Sequence, residues 1–205
     1  MALPENSSEY RRFQEQVWKP FNHDKAFRLL VRSTRLLDLF QVPYHLEGGT
    51  LLGLVRDGKV LPWDDDLDIS IPASHKGRAF WVLSLLFFLG WRVDKRRWKM
   101  FSDKGFSGVR IIKVRDRSRG MLRTGRVYLD VIVKEPQDGY YYWQAKKRLM
   151  RVGQAFYAGA EELRVEGVAF KVPVNYKQYL TEKYGDWSIP VKEWDCGQDE
   201  QTIVE

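Results

Sequence analysis

A chain of 205 residues with a 14% aromatic content can bury the core of one domain, which excludes a disordered or fibrous polypeptide. Its one cysteine, Cys196, excludes an internal disulfide and a thiolate zinc cluster, and the three histidines, His23, His45 and His75, lack metal-ligand spacing. A net charge of +7 directs attention to anionic partners.

The first residues, Met1 to Glu9, lack the basic and apolar regions of a signal peptide, so a cytoplasmic protein is expected. Residues 1–24 read as an N-terminal extension. Asp24 can cap a helix over 25–40, where Phe27, Leu30, Val31, Thr34 and Leu37 recur at helical spacing, and Pro43 marks its end. A short strand at Tyr44 to Leu46 follows, then Gly48-Gly49-Thr50, then a helix-compatible run from Leu51 to Arg56. A strand, a glycine turn and a helix N-terminus suit a phosphate: glycine admits close approach, and the free N–H groups of a first helical turn are partly positive.

Asp57-Gly58 reverses the chain and brings back Asp64-Asp65-Asp66-Leu67-Asp68-Ile69-Ser70-Ile71. From Asp66 this run alternates with the period of a strand buried on one side, so Leu67, Ile69 and Ile71 face the core while Asp66 and Asp68 project together. Paired carboxylates of this kind hold magnesium or manganese. An EF-hand loop is excluded because Ile69 and His75 stand where glycine and glutamate are required, and a Walker loop because no Gly-Lys-Ser/Thr follows the glycines.

Phe80 to Trp91 is too apolar for a surface loop and shorter than the ~20 residues needed to span a bilayer, so a buried helix ended by Gly90 is expected, with peripheral membrane contact as the second use. Strands are expected at Trp91 to Val93, Val109 to Arg115 and Val127 to Val133. From Trp91 to Arg126 there are thirteen Lys or Arg against three Asp, an anion-facing surface without a nucleic-acid motif. Asp130 is the single carboxylate of an apolar strand and requires a partner, either a metal or one of the many arginines. Tyr140 to Trp143 leads into a basic helix through about Arg151, Glu166-Gly167 turns a hairpin between Leu163 and Val172, and Asn175 caps a helix ended by Gly185. Residues 191–205 form an acidic tail.

The run EGGTLLGLVRDGKVLPWDDDLDISI resembles the signature of the LicD family of phosphorylcholine transferases and fukutin-related proteins, within the nucleotidyltransferase superfamily. Val42-Pro43-Tyr44, Tyr179-Leu180 and Tyr184-Gly185-Asp186 extend the likeness over residues 25–190. The resemblance implies an α+β fold, a mixed sheet packed with helices in one domain, and it puts a third carboxylate at Asp130. It implies magnesium or manganese held by Asp66, Asp68 and Asp130, with Asp64 as a further acidic position. Gly48, Gly49 and Thr50 would hold the donor phosphate from the backbone, with Arg56 as the side-chain contact or, alternatively, a surface ion pair. It further implies transfer of a phospho-substituent (phosphocholine, phosphoribitol or similar) from a CDP-linked donor to a sugar hydroxyl of a glycan or lipid-linked acceptor, at the inner membrane face. Two alternatives stand beside it: transfer of a nucleotide from a nucleoside triphosphate, and a non-catalytic polyanion-binding module.

Overall fold

The computed structural model describes residues 21–117, 125–191 and 193–205. In chain order it contains α1 (His23–Leu39), β1 (His45–Leu46), α2 (Gly48–Arg56), β2 (Leu67–Pro72), α3 (Lys76–Ser84), β3 (Trp91–Arg97), β4 (Val109–Asp116), β5 (Val127–Gln137), β6 (Tyr140–Ala145), β7 (Arg148–Gly153), β8 (Glu161–Val165), β9 (Val168–Val172) and α4 (Tyr176–Tyr184). Five strands lie in the order β1-β2-β5-β4-β3, and β6 and β7 continue the sheet from the far end of β5. Only β2 and β5 run parallel, so the sheet is mixed and the fold is α+β. The β8–β9 hairpin stands apart.

The alternation in β2 does what its period requires: Leu67, Ile69 and Ile71 are fully buried, each worth about 1.5–3 kcal/mol of apolar burial. Helix α1 covers the same core through Ala26, Leu29, Leu30 and Leu37. Its cap is Asn22, whose side chain accepts from Lys25 N–H at 2.8 Å, so the helix begins before the expected Asp24.

Four further expectations need correction. The basic helix expected after Trp143 is the β6–β7 hairpin, in which Trp143 faces Met150 and both are buried, while the turn residue Lys146 takes a φ of +50°. The basic residues there fall on the turn and the exposed side, with Arg151 outward between buried Met150 and Val152. The apolar run from Phe80 is not a buried helix: α3 ends at Ser84, a 3-10 turn continues to Leu89, and Trp81 and Phe88 are 77% and 82% exposed. Asn175 precedes α4 in the left-handed region and makes no side-chain cap. The stretch expected as an acidic tail runs back along β7, where Leu149 N–H donates to Glu205 O at 2.7 Å and Ile203 faces Met150. No described helix is long and apolar enough to cross a membrane.

Candidate active site

Glu47 ends the extended segment after β1 and is the N-cap of α2, so the glycine pair forms the first turn of the helix rather than a turn before it. Gly48 has a φ of +57°, and a Cβ on it would stand 2.6 Å from Asp68 Oδ2; a Cβ on Gly49 would overlap Asp64 Oδ2. The missing side chains are what let two carboxylates close on the helix N-terminus. Thr50 is buried, and its hydroxyl accepts from Asp68 N–H at 2.7 Å; Glu47 N–H donates to Asp68 O at 3.1 Å. Both sides of the Asp68 peptide are therefore fixed by the segment that carries the glycines.

The register of the parallel pair then sets Asp68 beside Asp130, and the antiparallel pair sets Lys113 beside Asp130. Lys113 Nζ bonds Asp130 Oδ2, while Asp130 Oδ1 is buried without a hydrogen-bond partner. Carboxylate oxygens of Asp64, Asp65 and Asp66 lie within 4.8 Å of one another. Asp65, which the sequence reading had not singled out, is exposed and reaches Arg126 at 3.5 Å.

Gathering these acids perturbs their titration. Burial, then the charges of Asp130, Asp64 and Asp65, pushes Asp66 up to about 7. Burial pushes Asp64 up to about 6, and burial followed by Asp66 and Asp130 holds Asp68 well above the usual carboxylate range. Burial also raises Asp130, against the pull of Lys113. Like charges forced together in a half-dry site, with an orphaned buried oxygen among them, form a donor set that suits a hard divalent cation.

These side chains open on one cavity of about 560 Å³, lined by Gly48, Gly49, Asp64, Asp66, Asp68 and Asp130 on its acidic side and by Arg56, Arg110, Lys113, Lys146 and Lys183 as its cations. Thr50 is not among its lining residues; its role is to hold Asp68. Arg56 stands at the rim with its guanidinium bonded to Asp57 through Nε and Nη2, each at 2.9 Å, which is the ion-pair alternative. Trp63 lies 39% exposed on the same lining.

Beneath the helix N-terminus lies a buried network that sequence reasoning missed. The Glu47 carboxylate is fully buried and is held by Lys183 at 2.6 Å, Lys134 at 3.2 Å, Tyr179 OH at 2.6 Å and Tyr157 OH at 2.9 Å. Burial opposes its charge, but the two ammonium groups and these hydrogen bonds win, and Glu47 is held well below the usual range. Burial works against the charge of Lys183, but Glu200 and Glu47 outweigh it and hold the group well above the usual lysine range, whereas burial brings Lys134 down to about 7. Lys134 Nζ also sits 3.1 Å from the centroid of the Trp143 ring. The one local signal was a glutamate directly before the glycine pair; its partners lie more than one hundred residues away, apart from Lys134.

Compared with known proteins, residues 41–175 match the family model described as LicD/FKTN/FKRP, nucleotidyltransferase domain. The chain is 25% identical over 177 residues to the ribitol 5-phosphate transferase FKRP of Homo sapiens, covering 83% of this chain and 33% of that protein. The Mus musculus protein of the same name is 25% identical over 186 residues, 88% of this chain and 35% of its own length. An uncharacterized protein of Rickettsia typhi is 36% identical over 71 residues, 35% of this chain and 23% of that one. The chain thus spans about a third of the length of the two FKRP relatives. Among solved structures, the antibiotic-resistance factor ANT(2'')-Ia in solution aligns with a TM-score of 0.48 at 17% identity, over 83% of this chain and 80% of that one.

Proposed function

Because this chain belongs to the LicD/FKTN/FKRP nucleotidyltransferase-domain family, we propose that it moves a phospho-substituent, phosphoribitol or phosphocholine being the leading cases, from a CDP-linked donor to the hydroxyl of a glycan or lipid-linked sugar. The observation that carries this reading is the closure of Asp66, Asp68 and Asp130 on the glycine N-terminus of α2 within one cavity.

In this reading Asp66, Asp68 and Asp130 hold a magnesium or manganese ion, with Asp64 at its edge; the ion, when bound, neutralises phosphate charge and stabilises the entering and leaving oxygens. Gly48 N–H is engaged by Glu47 Oε1 at 3.3 Å, so the first turn of α2 turns its positive end to the donor phosphate through Gly49 N–H. Glu47, anchored from below, fixes that end in place, and the Thr50 hydroxyl fixes Asp68. Asp130 accepts the proton of the acceptor hydroxyl through the oxygen that Lys113 leaves free. The hydroxyl oxygen attacks the phosphorus bearing the non-nucleotide substituent, the bond from that phosphorus to the bridging oxygen breaks, and CMP leaves with the electron pair. Arg56 gives Nε and Nη2 to Asp57 and Nη1 to the Trp187 carbonyl at 3.5 Å, so its donors are already engaged by protein groups.

The test is product identification. The protein with magnesium, CDP-ribitol, CDP-choline or nucleoside triphosphates, and mixed sugar acceptors should give CMP and an acceptor heavier by the phospho-substituent. An acceptor carrying the nucleotide itself, with pyrophosphate released, would overturn the proposed bond cleavage.

A further inference from the structure

Among the cations that line the cavity, four already have carboxylate partners. Arg56 is bonded to Asp57, Lys113 to Asp130, Lys146 to Asp195 at 2.6 Å, and Lys183 to Glu47 and Glu200. The fifth, Arg110 on β4, is half-buried, and its hydrogen bond to a protein group is from Nη1 to the backbone oxygen of Gln144 at 3.4 Å. Arg96 on β3 pairs in register with Ile111, the neighbour of Arg110, and Arg110 feels the attraction of Asp130 first and the repulsion of Arg96 after it. Among the described residues, neither guanidinium has an ion pair with a carboxylate.

Asp130 is already bonded to Lys113, so the paired guanidinium groups of Arg110 and Arg96 keep N–H donors that an anion between them would satisfy. A guanidinium presents a planar fork of N–H donors that matches phosphate oxygens. Their position in the sheet adds direction. Along the order β2-β5-β4-β3 the cavity wall runs from the glycine turn packed on β2, through Asp68 and Asp130, to Lys113 and Arg110, and Arg96 stands at the edge strand. The two arginines therefore lie across the carboxylates from the helix N-terminus.

We infer that Arg110, with Arg96 beside it, forms a phosphate-binding subsite on the side of the carboxylate cluster opposite the Gly48-Gly49 helix end. The inference deepens the functional reading above and rests on it. The phosphate recognised belongs either to the nucleotide donor or to the acceptor. A site with a helix N-terminus at one end and a guanidinium pair at the other receives anionic groups on both sides of the reacting bond.

The experiment is calorimetric titration of the full chain with magnesium present, using CDP, cytidine, glycerol 3-phosphate and inorganic phosphate as probes. Arg110→Gln is expected to weaken CDP or glycerol 3-phosphate by ~tenfold or more, the scale of a charge-assisted hydrogen bond removed from a half-dry site, and to leave cytidine unchanged. A loss confined to CDP assigns the donor phosphate; a loss confined to glycerol 3-phosphate assigns a phosphate carried by the acceptor. Affinities for CDP, glycerol 3-phosphate and inorganic phosphate all within about twofold of the parent would overturn the subsite. If Arg110→Gln does not fold, Arg110→Lys, which keeps the charge and loses the fork, and Arg96→Gln at the exposed rim take its place, and unchanged phosphate affinity in both overturns it equally. Asp68→Asn separates the two ideas: magnesium-dependent CDP binding that survives in this variant contradicts the functional reading, while the Arg110 result remains readable on inorganic phosphate.

Discussion

Replacing Glu47 by Gln keeps the shape of the α2 cap and removes its charge, which isolates the electrostatic part of the buried network. The carboxylate meets Lys183, Lys134, Tyr179 and Tyr157 at 2.6, 3.2, 2.6 and 2.9 Å, and has no solvent exposure. Breaking one partner out of a buried ion pair costs about 3–5 kcal/mol, because the charge left behind is unsatisfied. Here Lys183 keeps Glu200 at 3.3 Å, and Lys134, already brought down to about 7 by burial, can shed its proton. The expected loss is therefore near the lower end, about 3 kcal/mol, which for a domain of this size lowers Tm by about 6–12 °C. Urea unfolding with an unchanged slope should show the midpoint shift. A second variant carrying both Glu47→Gln and Lys183→Met should lose less than the sum of the two single changes, since the orphaned ammonium has been removed. A Glu47→Gln protein within about 1 kcal/mol of the parent would refute the reasoning, because the network would then be carrying no net charge interaction.

Asp68→Asn should lower turnover by at least ~100-fold while Tm holds or rises, since the change relieves repulsion with Asp66 and Asp130; a folded variant with parental turnover would remove Asp68 from the site. Gly49→Ala should weaken donor binding because the added methyl group collides with Asp64, and unchanged CDP affinity would show that this carboxylate moves aside freely. The pH dependence of the metal-free protein follows from the raised carboxyls. Asp64 and Asp66 titrate at about 6 and about 7 in the folded chain against 3.8 for the free side chain, so between those values the folded state holds more protons than the unfolded one. Stability is then full below about pH 4 in this respect and falls as pH rises through 6 to 7. Magnesium should oppose that fall, raising Tm more at about pH 8 than at about pH 5, and a magnesium-induced shift of equal size at both would count against carboxylate ligation.

The elements around the site were legible where chemistry and local period agree. Leu67, Ile69 and Ile71 alternate with Asp68 and Ser70 at the period of a strand, although Ser70 on the opposite face is buried as well, and the core residues of α1 repeat at helical spacing; in both, the neighbours that matter lie within four residues. The LicD likeness was carried by the same short run. Where burial depends on distant segments, local pattern gave the wrong answer or none. The basic run Lys146, Lys147, Arg148 and Arg151 reads as a helix, yet pairing of Trp143 with Met150 and of Glu205 with Leu149 makes the segment a hairpin. Phe87, Phe88 and Leu89 look like core, yet they are 49%, 82% and 55% exposed, with the Arg117 guanidinium lying over the Phe87 ring. Asp68 and Asp130 are 62 positions apart, and only the register of β2 on β5 sets them side by side. Glu47 reads as one more surface acid until residues 134, 157, 179 and 183 close over it, because the free energy that keeps a charge out of water comes from partners that a linear sequence does not place.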